Sequence, residues 1–145
     1  MMRYVEQGGN LIVQYNRNQG GVASPKIGPY PFQITTNRVT EEDAEVRFTL
    51  PDHPVLNYPN KISSKDFLDW VQERSTYQAE QFDSRYQAPL SMNDTGEKES
   101  SGSLIATAYG KGNFAYVSLV MFRQLPAGNA GAFKILANLI ALPKH

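Results

Sequence analysis

The sequence predicts an α/β domain with a mainly parallel sheet, a C-terminal β-hairpin and a closing helix. Three stretches carry this expectation. Residues 11–15, LIVQY, are a short apolar run behind a Gly-Gly pair, and such runs read as buried strands. Residues 114–122 are nearly continuously apolar, as a strand is when both its faces are covered. Residues 130–142 form an apolar helix that Pro143 ends.

Taken in order, residues 1–7 read as the last turns of a helix, with Gly8-Gly9 as a C-cap where a left-handed residue is wanted. A helix stub, a Gly-Gly pair and a buried strand make the second half of a βαβ unit. The chain therefore reads as a single domain, residues 1–145, that is the C-terminal part of a larger α/β domain. Residues 16–30 are a polar, Gly-rich loop with Pro25 and Pro29. The loop follows the carboxyl end of a predicted parallel strand, where open α/β sheets bind ligands. Asn16 and Arg17 are its candidate ligand-binding residues, and a plain connecting loop is the alternative. Residues 32–35 read as a short strand. Residues 44–50 alternate Val46, Phe48 and Leu50 with polar neighbours, as a half-exposed strand does.

Pro51-Asp52-His53-Pro54 is an extended turn fixed by its prolines. Asp52 and His53 are candidate ligand contacts; the alternative is a turn whose side chains bond local backbone. Residues 65–72 read as a helix capped by Ser63 or Ser64, with Phe67, Leu68, Trp70 and Val71 on its apolar side. Trp70 reads either as a sugar-stacking platform or as core. Strands are expected over residues 74–82 and 89–92. Residues 93–102, NDTGEKESSG, read as a charged turn. Asp94, Glu97 and Glu99 do not have the spacing of an EF-hand loop, which makes a solvated tip the better reading. Residues 104–109 and 114–122 flank a Gly110-Lys111-Gly112 reversal. The last helix carries Phe133, Leu136, Ala137 and Ile140 on one side, widened by Ile135, Leu139 and Leu142, as its packing stripe.

Composition bounds the function. The chain has 145 residues, 14 basic and 14 acidic, so nucleic acid and anionic membranes are not expected partners. It has no cysteine, which excludes disulfides, thiolate metal sites and cysteine nucleophiles. Residues 1–10 lack the apolar centre of a signal peptide; the chain as given reads as cytoplasmic, or as periplasmic or secreted within an exported parent. There is no Gly-x-Ser-x-Gly elbow and no phosphate-binding loop. With two histidines, one of them terminal, no metal or cofactor is expected and no catalytic residue is assigned.

The order of these pieces resembles the C-terminal half of a class I glutamine amidotransferase-like domain of the ThuA-like kind. The pieces are Gly-Gly-Asn-Leu-Ile-Val, Pro-Asp-His-Pro-Val, Gly-Ser-Leu-Ile-Ala, Tyr-Gly-Lys-Gly-Asn-Phe-Ala-Tyr and the closing helix. More closely, residues 26–32, 52–61 and 97–112 resemble the C-terminal domain of Bacteroidetes proteins whose N-terminal part is a PIG-L-type N-acetylglucosamine deacetylase. The resemblance implies a flavodoxin-like sheet. It carries no catalytic site here, because the amidotransferase cysteine is missing and the deacetylase zinc site belongs to the other domain.

Three roles follow from this reading. The first is a non-catalytic accessory domain that binds carbohydrate or packs on an enzyme partner, such as an N-terminal deacetylase domain. The second is a ThuA-like sugar-metabolism hydrolase using His53 and nearby carboxylates. The third is an oligomerisation domain. An incomplete parallel sheet would leave an open apolar edge, so the isolated chain is expected to self-associate or to present an apolar face.

Overall fold

The structure, a computed structural model, describes residues 1–14, 16 and 27–145. Its centre is a hairpin of two six-residue strands, β8 (Leu104–Tyr109) and β9 (Gly112–Val117). Gly110 turns the chain at φ +57°, where a β-carbon is disfavoured. A Cβ on Gly112 would overlap the carbonyls of Gly9 and Val5. The helix α1 (Met2–Glu6) releases the chain through Gly8 at φ +110° into β1 (Asn10–Gln14). The strand β1 runs parallel to β9, with Leu11 opposite Phe114 and Val13 opposite Tyr116. Residues 11–14 thus form the expected strand beside the expected neighbour; Tyr15 lies outside the described residues.

The sheet is not mainly parallel and not flavodoxin-like. Its order is β1-β9-β8, with one parallel and one antiparallel pair. The other strands form two-residue antiparallel pairs. These are β2 (Gln33–Ile34) with β6 (Ala79–Glu80), β3 (Arg38–Val39) with β5 (Ser75–Thr76), and β4 (Arg47–Phe48) with β7 (Leu90–Ser91). The reason lies between β1 and β8. A further parallel strand needs a crossover of a dozen or so residues, usually a helix. Among the described residues between β1 and β8, the only helical segments are two 3-10 turns, Pro54–Leu56 and Ser64–Phe67.

Several element boundaries move for local reasons. The helix expected over residues 65–72 stops at Phe67, because Leu68 is extended and Asp69 is left-handed at φ +59°. The strand expected over residues 74–82 is broken by Tyr77 at φ +58° and closed by Gln81 at φ +46°. The apolar run 114–122 leaves the sheet after Val117 and coils into α2 (Met121–Gln124).

The sheet separates two apolar clusters, which is why β9 is buried along its whole length. One face packs Leu104, Ala106, Ala115 and Val117 against Trp70, Phe67, Met92 and the helix α3 (Ala130–Ile140). The other packs Ile105, Phe114 and Tyr116 against Tyr86, Phe32 and Tyr30. Asn129 caps α3 by accepting the Ala132 N–H at 3.1 Å. A Cβ on Gly131 would overlap Asp66 O, so this glycine lets the helix seat on the Ser64–Phe67 turn.

Only one edge of the expected stripe is buried, Ile135, Leu139 and Leu142, and its centre turns outward. Ala132, Ile135 and Leu139 point into the core, while Phe133 is 51% and Ile140 62% exposed. A polar anchor decides the rotation. Asn138, fully buried on the inward side, donates to Val55 O at 2.8 Å and to Asn60 O at 2.7 Å, and accepts from Asn60 N at 2.9 Å. Turning Phe133 inward would expose this amide and strip three backbone groups of their partner. Each such loss costs about 1–3 kcal/mol, more than is gained by swapping one apolar stripe for another.

Candidate functional site

The predicted ligand contacts do not form one site. Asn16 is exposed, and its backbone N–H donates to Tyr116 Oη at 3.3 Å. Arg17 lies outside the described residues. Asp52 is exposed in the turn before the first 3-10 segment. Trp70 is 2% exposed: its Nε1–H donates to Asp66 O at 2.9 Å, and its ring lies 5.3 Å from that of Phe67. With its faces packed in the core, Trp70 is not a sugar platform.

His53 lines a cleft. The cleft, about 350 Å³, is bounded by Tyr30, Pro54, Arg85, Gln87, Thr107, Asn113 and His145. Both histidines of the chain, one from the middle of the sequence and one at its last residue, line it. Sequence reasoning missed Tyr30, Arg85, Gln87, Asn113 and His145, because topology alone brings them together from four separate segments. The one sequence signal was the Asp83/Arg85 spacing, the i to i+2 pattern in which an Asp turn captures a nearby donor.

The chemistry of this cleft is one of groups already engaged. His53 caps the Pro54–Leu56 turn by accepting the Val55 N–H on Nδ1 at 3.1 Å. The Gln87 side chain lies beside the same imidazole. Burial lowers its pKa below the ordinary 6.5 and outweighs the Gln87 bond, which raises it. A neutral imidazole has one lone pair, and here Val55 holds it. To take a proton there, His53 would have to give up the Val55 bond.

Arg85 grips Asp83 with two bonds, Nε to Oδ1 at 2.8 Å and Nη2 to Oδ2 at 2.9 Å. The side-chain bond from Arg85 and the Arg85 backbone N–H hold Asp83 down at about 2. The same guanidinium lies 3.5 Å from the centre of the Tyr30 ring, a stacked cation–π contact. One face of Tyr30 is therefore covered by an ion pair. Tyr86, pushed up to about 12 mainly by burial, donates from its hydroxyl to Tyr30 O at 2.7 Å. His145 Nε2 meets Asn113 Oδ1 at 3.0 Å, and Asn113 also donates to Asn10 Oδ1 and Pro143 O. This network ties the last residues of the chain to the sheet.

The acidic loop is likewise engaged. Asp94 accepts from the N–H groups of Thr40 and Glu41 and from the Thr40 hydroxyl, at 2.8 to 3.0 Å. Burial alone would raise its pKa, but these bonds together lower it. Glu99 is held by the Ser91 hydroxyl and Arg47. The tip of the loop, residues 95–99, is exposed as expected, while Asp94 and Glu99 tie the loop to the segments at β3 and β4. Among the described residues, no group of His, Asp and Glu is placed to hold a metal ion. No protein-family model, curated protein or solved structure matches the chain.

Proposed function

We propose that this chain is a non-catalytic accessory domain of a carbohydrate-active protein, packing on an enzyme partner of the N-acetylglucosamine deacetylase kind. One observation carries the packing role: α3 is apolar on two faces. Its inner face fills the core, and its outer face presents Phe133 and Ile140 with half-buried Leu136 and Ala137 between them. An exposed apolar stripe of this kind suits contact with a neighbouring surface.

The outer stripe is continuous with other apolar surface. Ile140 shares a groove of about 470 Å³ with Ile12 and Tyr4, and Tyr4 is 59% exposed. Beside it, β1 ends the sheet, and among the described residues it pairs only with β9. An unpaired strand edge with Leu11, Ile12 and Val13 half-buried suits a neighbour that adds backbone and apolar contacts together. The engaged state of His53 supports the non-catalytic part of the reading over a hydrolase. The carbohydrate context rests on the sequence resemblance.

The test is calorimetric binding of the purified chain to a PIG-L-type deacetylase domain supplied in trans. Saturable binding is expected, lost in the Phe133→Glu/Ile140→Glu double variant while its thermal midpoint is kept. No binding by the wild-type chain, together with sugar hydrolysis that His53→Asn abolishes, would overturn the proposal in favour of an enzyme.

A further inference from the structure

Gln78 lies between β5 and β6 and is 1% exposed. Its backbone is fully used. Its N–H donates to Asn37 O at 3.2 Å, and its carbonyl accepts from Thr35 N at 3.0 Å and Thr35 Oγ1 at 2.9 Å. In the side chain, Oε1 accepts from the Ser100 hydroxyl, whereas Nε2 is buried with no partner. Turning the amide over moves the deficit from one end to the other, because Ser100 satisfies only one of them. A buried polar atom left in this state calls for a further partner.

Gln78 and Ser100 line a cleft of about 860 Å³, within the usual range of small-molecule sites. Its walls are residues 36–40, 78–82, 93–94 and 97–102. The charges on them exclude some ligands. Four carboxylates, from Glu80, Asp94, Glu97 and Glu99, face Arg38 and Lys98. The excess is acidic, which repels phosphates and other anions. Arg38 is moreover held by Glu73 at 2.8 Å. What remains is a set of polar donors and acceptors, with an acidic excess, beside the half-buried Phe82 ring. Amides, hydroxyls and carboxylates beside one aromatic edge match a ligand with many hydroxyls and apolar C–H faces.

We propose that this cleft binds a neutral oligosaccharide, with the unpartnered Gln78 Nε2–H as its buried polar anchor. The site shares no residue with the groove at Tyr4, Ile12 and Ile140. The carbohydrate is common to this proposal and to the proposed function, but the two can fail separately.

The experiment is a titration of the full chain, followed by nitrogen–proton correlation spectra. The probes are triacetylchitotriose, cellotriose and maltotriose, each taken to about 10 mM so that a millimolar dissociation constant is visible. The expected result is saturable shifts in residues 36–40, 78–82 and 93–102 with at least one probe. Gln78→Leu should weaken that binding about tenfold with the thermal midpoint kept or raised, since it removes an unpaired buried amide. Ser101→Tyr, which fills the cleft from its half-exposed rim, should abolish binding even if Gln78→Leu fails to fold. His53→Asn, in the other cleft, should leave it unchanged. No saturable shift with any probe, shifts confined to the His53 cleft, or wild-type affinity in Ser101→Tyr would each overturn the proposal. Deacetylase capture by the same preparation distinguishes a failed sugar site from a failed docking face.

Discussion

The C-terminal unit, residues 104–142, and the middle of the chain, residues 33–92, are held together by different forces. In the first, two six-residue strands and an eleven-residue helix satisfy their own backbone, and apolar contact does the rest. In the second, the strands are two residues long, and side chains supply the missing backbone partners. Arg74 donates to Ala44 O and Phe67 O, Gln124 joins the N–H and carbonyl of Val71, and Asn138 holds Val55 and Asn60. The lesson is that a segment without long runs can be ordered by a few buried polar side chains. Apolar periodicity does not reveal them.

The largest expected effect breaks the C-terminal unit. Gly112→Val places a branched side chain against the Gly9 and Val5 carbonyls and should cost about 4 kcal/mol or more in urea denaturation. A cost below about 1 kcal/mol would contradict the close approach of α1 to β9. The matching break in the middle is Asn138→Ala. It leaves two carbonyls and one N–H without partners, and should cost about 3 kcal/mol. Hydrogen exchange should then quicken at residues 55–62 before it does in β8 and β9.

A smaller effect concerns pH. The folded chain holds His53 below the ordinary 6.5, chiefly by burial. The unfolded chain therefore takes up the proton first as pH falls. The His53 contribution is complete above 6.5 and is lost as pH drops through the lower folded value. His53→Asn keeps an acceptor for the Val55 N–H and should flatten that part of the urea midpoint profile. An unchanged profile would mean that another group sets it. The smallest effect is a gain. Gln81 sits at φ +46°, so Gln81→Gly should stabilise by up to about 1 kcal/mol in the same denaturation series.

What was legible in the sequence follows the same division. The strand over residues 104–109, its partner, the parallel pairing with residues 11–14 and the closing helix all announced themselves as long apolar runs. Those runs were also misleading, because a parallel pair suggested a parallel sheet, and only the missing crossover helix argued otherwise. The middle was read poorly because its breaks occur at Asp69, Tyr77 and Gln81, non-glycine residues in left-handed conformations. Asp is enriched in that conformation, but Tyr and Gln give no such signal. Of the proposed contacts, His53 reached a cleft, whereas Trp70 was claimed by the core. Gln78 carried no signal at all, since a lone glutamine between short strands looks like surface.

The face of α3 joins both halves of this account. A buried asparagine from the polar network turns the helix, and a wide apolar stripe is thereby left outside. Light scattering over a concentration series, with a hydrophobic dye added, tests this most directly on the wild-type chain and the Phe133→Glu/Ile140→Glu variant. The account predicts dye binding, with or without self-association, in the wild type. It also predicts loss of both in a variant whose thermal midpoint is unchanged. A monomeric wild type that binds no dye, or a variant that unfolds as a core mutant would, would contradict it.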